Sequence, residues 1–159
     1  METSSEDLAG QEQVRVFESV REAAEFLSTT EGKILITTGS KELKEYTKIG
    51  NYQERCFARV LSTKAAMEES VRLGFEGKHL IAMQGPFSEE MNLALLHQTR
   101  ARYFVTKESG KAGGFEEKLK AAKKAGAVLI VIGRPQERGR SVQEVCHFIE
   151  SNFGKKEQE

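Results

Sequence analysis

Two periods of apolar spacing alternate along this chain, and each change of period marks the boundary of a strand or a helix. Val20, Ala23, Ala24 and Leu27 recur at helical spacing, and Ser19 with Glu22 has the spacing of a capping box. Short apolar runs at 33–37, 56–61, 79–83, 102–106 and 127–132 follow one after another. They are too short for helices and read as five buried strands. The segments between them predict helices. One runs through Leu43 and Tyr46. The next is capped by Ser62 or Thr63, lined inwardly by Ala66, Met67 and Val71, and closed by Gly74. A third is capped by Ser88, with Glu89 and Glu90 in a first turn that favours acids. The helix from Phe115 to Ala125 ends at Gly126. A second capping box, Ser141 with Glu144, opens a helix with Val142, Val145, Cys146 and Ile149 on one face.

Strands alternating with helices, with no tight hairpin signal between any two, predict an α/β fold: a five-stranded, mostly parallel, Rossmann-like sheet with helices on both faces. At 159 residues the chain suits one such domain, expected over residues 17–153. Residues 1–16 read as a flexible N-terminal segment and 154–159 as a frayed tail. The net charge is zero, so no basic field points to nucleic acid, and no apolar run is long enough to span a bilayer. The acidic, polar N-terminus reads as neither signal nor transit peptide. Cys56 and Cys146 lack metal or redox spacing, which fits a reducing, cytoplasmic location. His79, His97 and His147 are dispersed without ligand spacing, so no metal site is expected. No nucleophile–base pair emerges from spacing, which leaves the catalytic residues unassigned.

Parallel sheets bind ligands at the C-terminal strand ends, near a reversal of strand order. The polar and glycine-rich loops of this chain fall at those ends. In the loop after the fourth predicted strand, Thr106, Lys107, Ser109, Gly110, Lys111, Gly113 and Gly114 lead into a helix N-terminus, a composition suited to an anion clamp. A solvated surface loop is the rival reading. Thr38, Gly39, Ser40 and Lys41 read equally as a phosphate-binding turn or as a glycine turn with a serine cap. Gly85, Pro86 and Phe87, followed by Glu90, offer a stiff turn with a ring that can stack on a planar ligand; a hydrophobic staple accounts for part of the same pattern. Arg134 and Pro135 after the last strand place a guanidinium where it can hold a carboxylate, or form a polar loop stopped by proline. No loop matches a Walker A sequence or the glycine fingerprint of dinucleotide-binding folds.

Taken in order, ITTGSKEL at 36–43, GPFSEEMN at 85–92, VTKESGKAGGFEEK at 105–118 and GRP at 133–135 resemble the precorrin-6A reductases of cobalamin biosynthesis. The resemblance covers residues 17–153 and is to the C-terminal half of those enzymes alone. It implies hydride transfer from NADPH or NADH to a C=N or C=C system of a corrin-ring precursor, with a proton supplied separately. It also implies that Lys41, Lys107, Lys111 and Arg134 face substrate carboxylates or a cofactor phosphate, and that Pro86 and Phe87 face the ring or the nicotinamide. The family's other half carries the glycine-rich cofactor turn, so the chain reads as a fragment or as one part of a split protein. Its expected partners are the corrin precursor and a separate N-terminal reductase half, or a second copy of itself. The alternative function is a non-catalytic α/β module that binds a polycarboxylate or a nucleotide for a partner protein. An unrelated parallel α/β domain with phosphate-binding loops is a third reading.

Overall fold

The computed structural model describes residues 13–107 and 115–133. Six parallel strands form one sheet: β1 Val14–Phe17, β2 Lys33–Ile36, β3 Cys56–Val60, β4 Leu80–Ala82, β5 Ala101–Lys107 and β6 Val128–Ile132. Their spatial order is β1-β6-β5-β2-β3-β4. The α-helices are α1 Val20–Leu27, α2 Tyr52–Arg55, α3 Lys64–Arg72, α4 Glu89–Thr99 and α5 Phe115–Ala125. A 3-10 helix, Leu43–Lys48, lies between β2 and α2.

The α/β architecture with a parallel sheet is as predicted, but the described residues form six strands rather than five. The additional strand, Val14–Phe17, overlaps the stretch read as a flexible N-terminal segment. It pairs with β6 at one edge, with Val14 opposite Leu129 and Phe17 opposite Ile132. All four of its residues are half-buried, and the Arg15 guanidinium lies 4.4 Å from the Phe26 ring centroid on α1. Val14 and Val16 pack toward one core and Phe17 toward the other, an alternation only four residues long.

The period of two divides the sheet between two cores. Ile34 and Ile36 of β2 face one side with Ile130 and Ile132 of β6, against Val20, Ala23, Ala24 and Leu27 of α1. Leu35, Leu129 and Val131 face the other side, against Leu96 of α4 and Leu119, Ala121 and Ala122 of α5. Burying a strand on both faces requires the continuous apolar runs seen in β2 and β6.

Side-chain caps set the helix starts. The Ser19 hydroxyl accepts from the Glu22 amide at 3.1 Å, Thr63 from Ala66 at 3.2 Å and Ser88 from Met91 at 3.1 Å. Gly74 ends α3 at φ +99°, where a Cβ would lie 2.8 Å from Tyr52 Oη, so no side chain fits there. The inner face of α3 differs from expectation: Ala66 and Ser70 are buried, whereas Met67 and Val71 are exposed. The helix expected through Leu43 and Tyr46 is a 3-10 turn that buries both residues. The predicted helix from Ser141 lies outside the described residues.

Strands β2, β3 and β4 are laid outward in one direction. The chain then returns to place β5 on the other side of β2, followed by β6. The order therefore reverses between β2 and β5. A crevice forms outside the carboxyl ends of strands at such a reversal.

Candidate functional site

At the carboxyl ends of β2 and β3, a cleft of about 740 Å³ is lined by Thr37, Arg59, Gly85, Pro86, Phe87, Ser88, Glu117 and Lys118. Four chain segments build it. Thr37 continues β2, and both its backbone N–H and its hydroxyl donate to the Val105 carbonyl, at 2.9 and 2.6 Å. This double tie joins the two strands at which the order reverses. The β4–α4 loop supplies residues 85–88, with a cis peptide bond between Gly85 and Pro86. Glu117 and Lys118 come from the first turn of α5.

Arg59 is the least expected member. It is 5% exposed, in a strand whose five residues are all buried. Neighbouring Ala58 and Val60 pack into the α1-side core, so the period of two turns Arg59 toward the opposite face. Its Nη1 donates to Asn92 Oδ1 on α4 at 2.7 Å, and its guanidinium lies 3.7 Å from the Phe87 ring centroid. Among the described residues Arg59 forms no ion pair. Burial alone pushes its pKa down from 12.5 to about 10, which leaves the group charged at neutral pH. Asn92 is fully buried, and its Nδ2 has no hydrogen-bond partner among the described residues.

The sequence-predicted residues divide into three groups. Gly85, Pro86 and Phe87 line the cleft, with Glu90 exposed on the first turn of the adjoining helix. Thr106 is buried and reaches the cleft indirectly, its hydroxyl accepting from Lys118 Nζ at 2.8 Å. Thr38, Gly39, Ser40 and Lys41 form the turn after β2. There the Thr38 hydroxyl meets the buried Tyr46 hydroxyl at 2.9 Å, and Gly39 takes φ +90°. Lys107 pairs with Glu42 of the same region at 2.6 Å, with both side chains substantially exposed. Ser109, Gly110, Lys111, Gly113, Gly114, Arg134 and Pro135 lie outside the described residues.

Thr37, Arg59, Ser88, Asn92, Glu117 and Lys118 are missing from the sequence-based set. The available signal was the arginine itself, a lone charge in an otherwise apolar strand. A charge in such a place needs a partner.

A dinucleotide pyrophosphate sits on the N-terminus of an α-helix that follows a glycine-rich turn. Here β2 leads into a 3-10 helix with Glu42 at its N-cap, without a side-chain cap, and Glu45 in its first turn. Glu42 is paired with Lys107 and Glu45 with Lys48, so this start differs from the bare α-helix N-terminus of a dinucleotide site. Among the described residues, no group of three or more His, Cys, Asp or Glu side chains is arranged to hold a metal ion. None of their helices is long and apolar enough to cross a membrane.

The model of the family described as precorrin-6x reductase CbiJ/CobK matches residues 2–150. A cobalt-precorrin-6A reductase of Priestia megaterium is 40% identical over 134 residues, which cover 80% of this chain and 52% of that protein. The enzyme of the same name from Salmonella typhimurium is 38% identical over 117 residues, 74% of this chain and 44% of that one. Its namesake in Methanothermobacter thermautotrophicus is 48% identical over 83 residues, 52% of this chain and 28% of that protein. Among solved structures, a CobK precorrin-6A reductase superposes with a TM-score of 0.58 at 21% identity, over 77% of this chain and 47% of that one. At that identity the likeness is one of fold. The chain spans about half the length, or less, of the curated relatives it matches.

Proposed function

Because the chain belongs to the precorrin-6x reductase family, we propose that it acts in the reduction of precorrin-6A or cobalt-precorrin-6A by NADPH or NADH, in cobalamin biosynthesis. The reduced nicotinamide supplies a hydride to a C=N or C=C bond of the macrocycle, and a proton is added separately. The observation that carries this reading is the cleft beside the strand-order reversal. It lies where parallel sheets bind ligands, and it is walled by an aromatic ring and two cations, Phe87, Arg59 and Lys118.

In this reading the described residues hold the corrin precursor. Phe87 and Pro86 bound the ring system, and the cations balance the peripheral carboxylates. Thr106 positions Lys118 through its hydroxyl. The chain's share of catalysis is to orient the substrate and stabilise its charge.

The test is a titration of purified chain with the corrin precursor, followed by absorbance, and then with reduced nicotinamide in the presence of that precursor. Saturable binding of the macrocycle supports the reading. Nucleotide binding without macrocycle binding contradicts it and favours a nucleotide-capturing module.

A further inference from the structure

We infer that Arg59 is the anchor for a carboxylate arm of the molecule that occupies the cleft, and that Phe87 and Asn92 hold its guanidinium in the orientation for that grip. The identity of the macrocycle rests on the reductase reading; the anion site rests on the geometry of these three side chains.

A guanidinium buried without a carboxylate is costly, because the charge leaves water and nothing of opposite sign replaces it. Among the described residues Arg59 is in that condition: its side-chain hydrogen bond is to a neutral amide, and its guanidinium lies over a neutral ring. The ring covers the guanidinium face, where cation–π attraction is strong when water is excluded. Asn92 takes Nη1 and restrains rotation about the remaining bonds. A guanidinium stacked through its face retains an edge of N–H donors, and that edge is the geometry that takes a carboxylate through two parallel hydrogen bonds.

The charges around the cleft agree with an anionic occupant. Its lining holds two cations, Arg59 and Lys118, and one carboxylate, Glu117. Glu117 is exposed and its charge is screened by water, whereas Arg59 is buried. Among the described residues, the buried guanidinium of Arg59 at the inner wall is thus a charge without an opposite partner. Beside it, the Asn92 Nδ2 donor has no acceptor among the described residues. A carboxylate fits this arrangement better than a phosphate. The planar fork and flat ring match a planar anion, and the Ser88 hydroxyl already takes one of the amides at the adjoining helix N-terminus.

The test compares wild-type chain with Arg59→Gln, Arg59→Lys and Asn92→Asp. Asn92→Asp places an internal carboxylate on the guanidinium and guards against loss of fold, since it completes an ion pair rather than removing one. Binding is read by quenching of tyrosine fluorescence for a free-acid tetrapyrrole polycarboxylate and for the same macrocycle as its ester, and by calorimetry for inorganic phosphate. Free-acid affinity should fall on the order of 10- to 100-fold in Arg59→Gln. It should fall similarly in Asn92→Asp with thermal stability retained, and less in Arg59→Lys. The ester should bind wild type and Arg59→Gln alike. Unchanged free-acid affinity in a folded Arg59→Gln or Asn92→Asp chain overturns the assignment of Arg59 and leaves the reductase reading standing. Loss of phosphate binding alone shows that the anion is a phosphate and overturns the carboxylate assignment. Failure of wild type to bind either macrocycle overturns the reductase reading, and the carboxylate assignment with it.

Discussion

The guanidinium of Arg59 on β3 lies 3.7 Å from the ring centroid of Phe87, in the loop between β4 and α4. This contact joins two neighbouring strands at their carboxyl ends and fixes the inner wall of the cleft. It also makes Phe87 part of the electrostatics of the site, because the ring is what holds the cation in place.

Phe87→Leu should therefore weaken ligand binding more than it weakens the fold. Phe87 is half-buried, and leucine keeps much of its apolar contact. A desolvated cation–π contact is worth up to about 2 kcal/mol, so affinity for the free-acid macrocycle should fall on the order of 10-fold. Parallel binding and urea-denaturation series measure the two effects. A loss of stability that accounts for the whole loss of binding contradicts this division.

Gly85→Ala tests the same wall from the backbone side. A Cβ at Gly85 would lie 3.2 Å from the Phe87 ring, so the ring must shift by a few tenths of an ångström. The expected stability change is below about 1 kcal/mol, as for a small overpacking at a partly exposed position. Affinity should fall several-fold, because Arg59 loses its platform. Affinity equal to wild type would show that the ring's position does not matter.

Lys107 and Glu42 give a different prediction. Their exposed ion pair should contribute roughly 0–1 kcal/mol to stability. Glu42→Gln releases Lys107, so anion affinity should rise a few-fold at low salt and the gain should vanish as salt screens it. A salt titration of binding in wild type and Glu42→Gln checks this.

The pH dependence at alkaline values follows from two buried acids. Burial pushes the Cys56 thiol up from 9.0 to about 12, and it holds the Tyr46 phenol well above its usual range. In each case the folded state binds its proton more tightly than the unfolded state. The associated stability is present below the unfolded value and is lost as pH rises through the folded one, for Cys56 between about pH 9 and 12. Arg59 has the opposite sign, because its folded value of about 10 lies below 12.5 and its desolvation cost is relieved as it deprotonates. Stability should fall from pH 9 upward, and Cys56→Ala should flatten that fall. Denaturation midpoints from pH 8 to 11 measure it; an unchanged slope in Cys56→Ala contradicts the assignment.

What the sequence could reveal depended on whether a local signal existed. The strands at 33–36 and 128–132 are buried on both faces and so read as apolar runs, and Ser19, Thr63 and Ser88 are caps that announce helix starts. The glycine–proline–phenylalanine turn showed one wall of the cleft. The edge strand at 14–17 is half-buried and four residues long, too short for its alternation to stand out from the polar segment before it. Strand order has no local signature, since it is set by which strands pair across the chain. Arg59 was passed over because apolar patterning treats the middle of a strand as core. Its partners Asn92 and Phe87 are 33 and 28 positions away in sequence and meet it only in the folded sheet.

The most direct test of the central claim is an amide and side-chain chemical-shift map of the labelled chain titrated with the corrin precursor. The account predicts saturable changes centred on Thr37, Arg59, Phe87, Ser88 and Lys118, with the Arg59 side-chain N–H signal moving most. Changes centred on another surface, with that Arg59 signal unmoved at saturation, would contradict it.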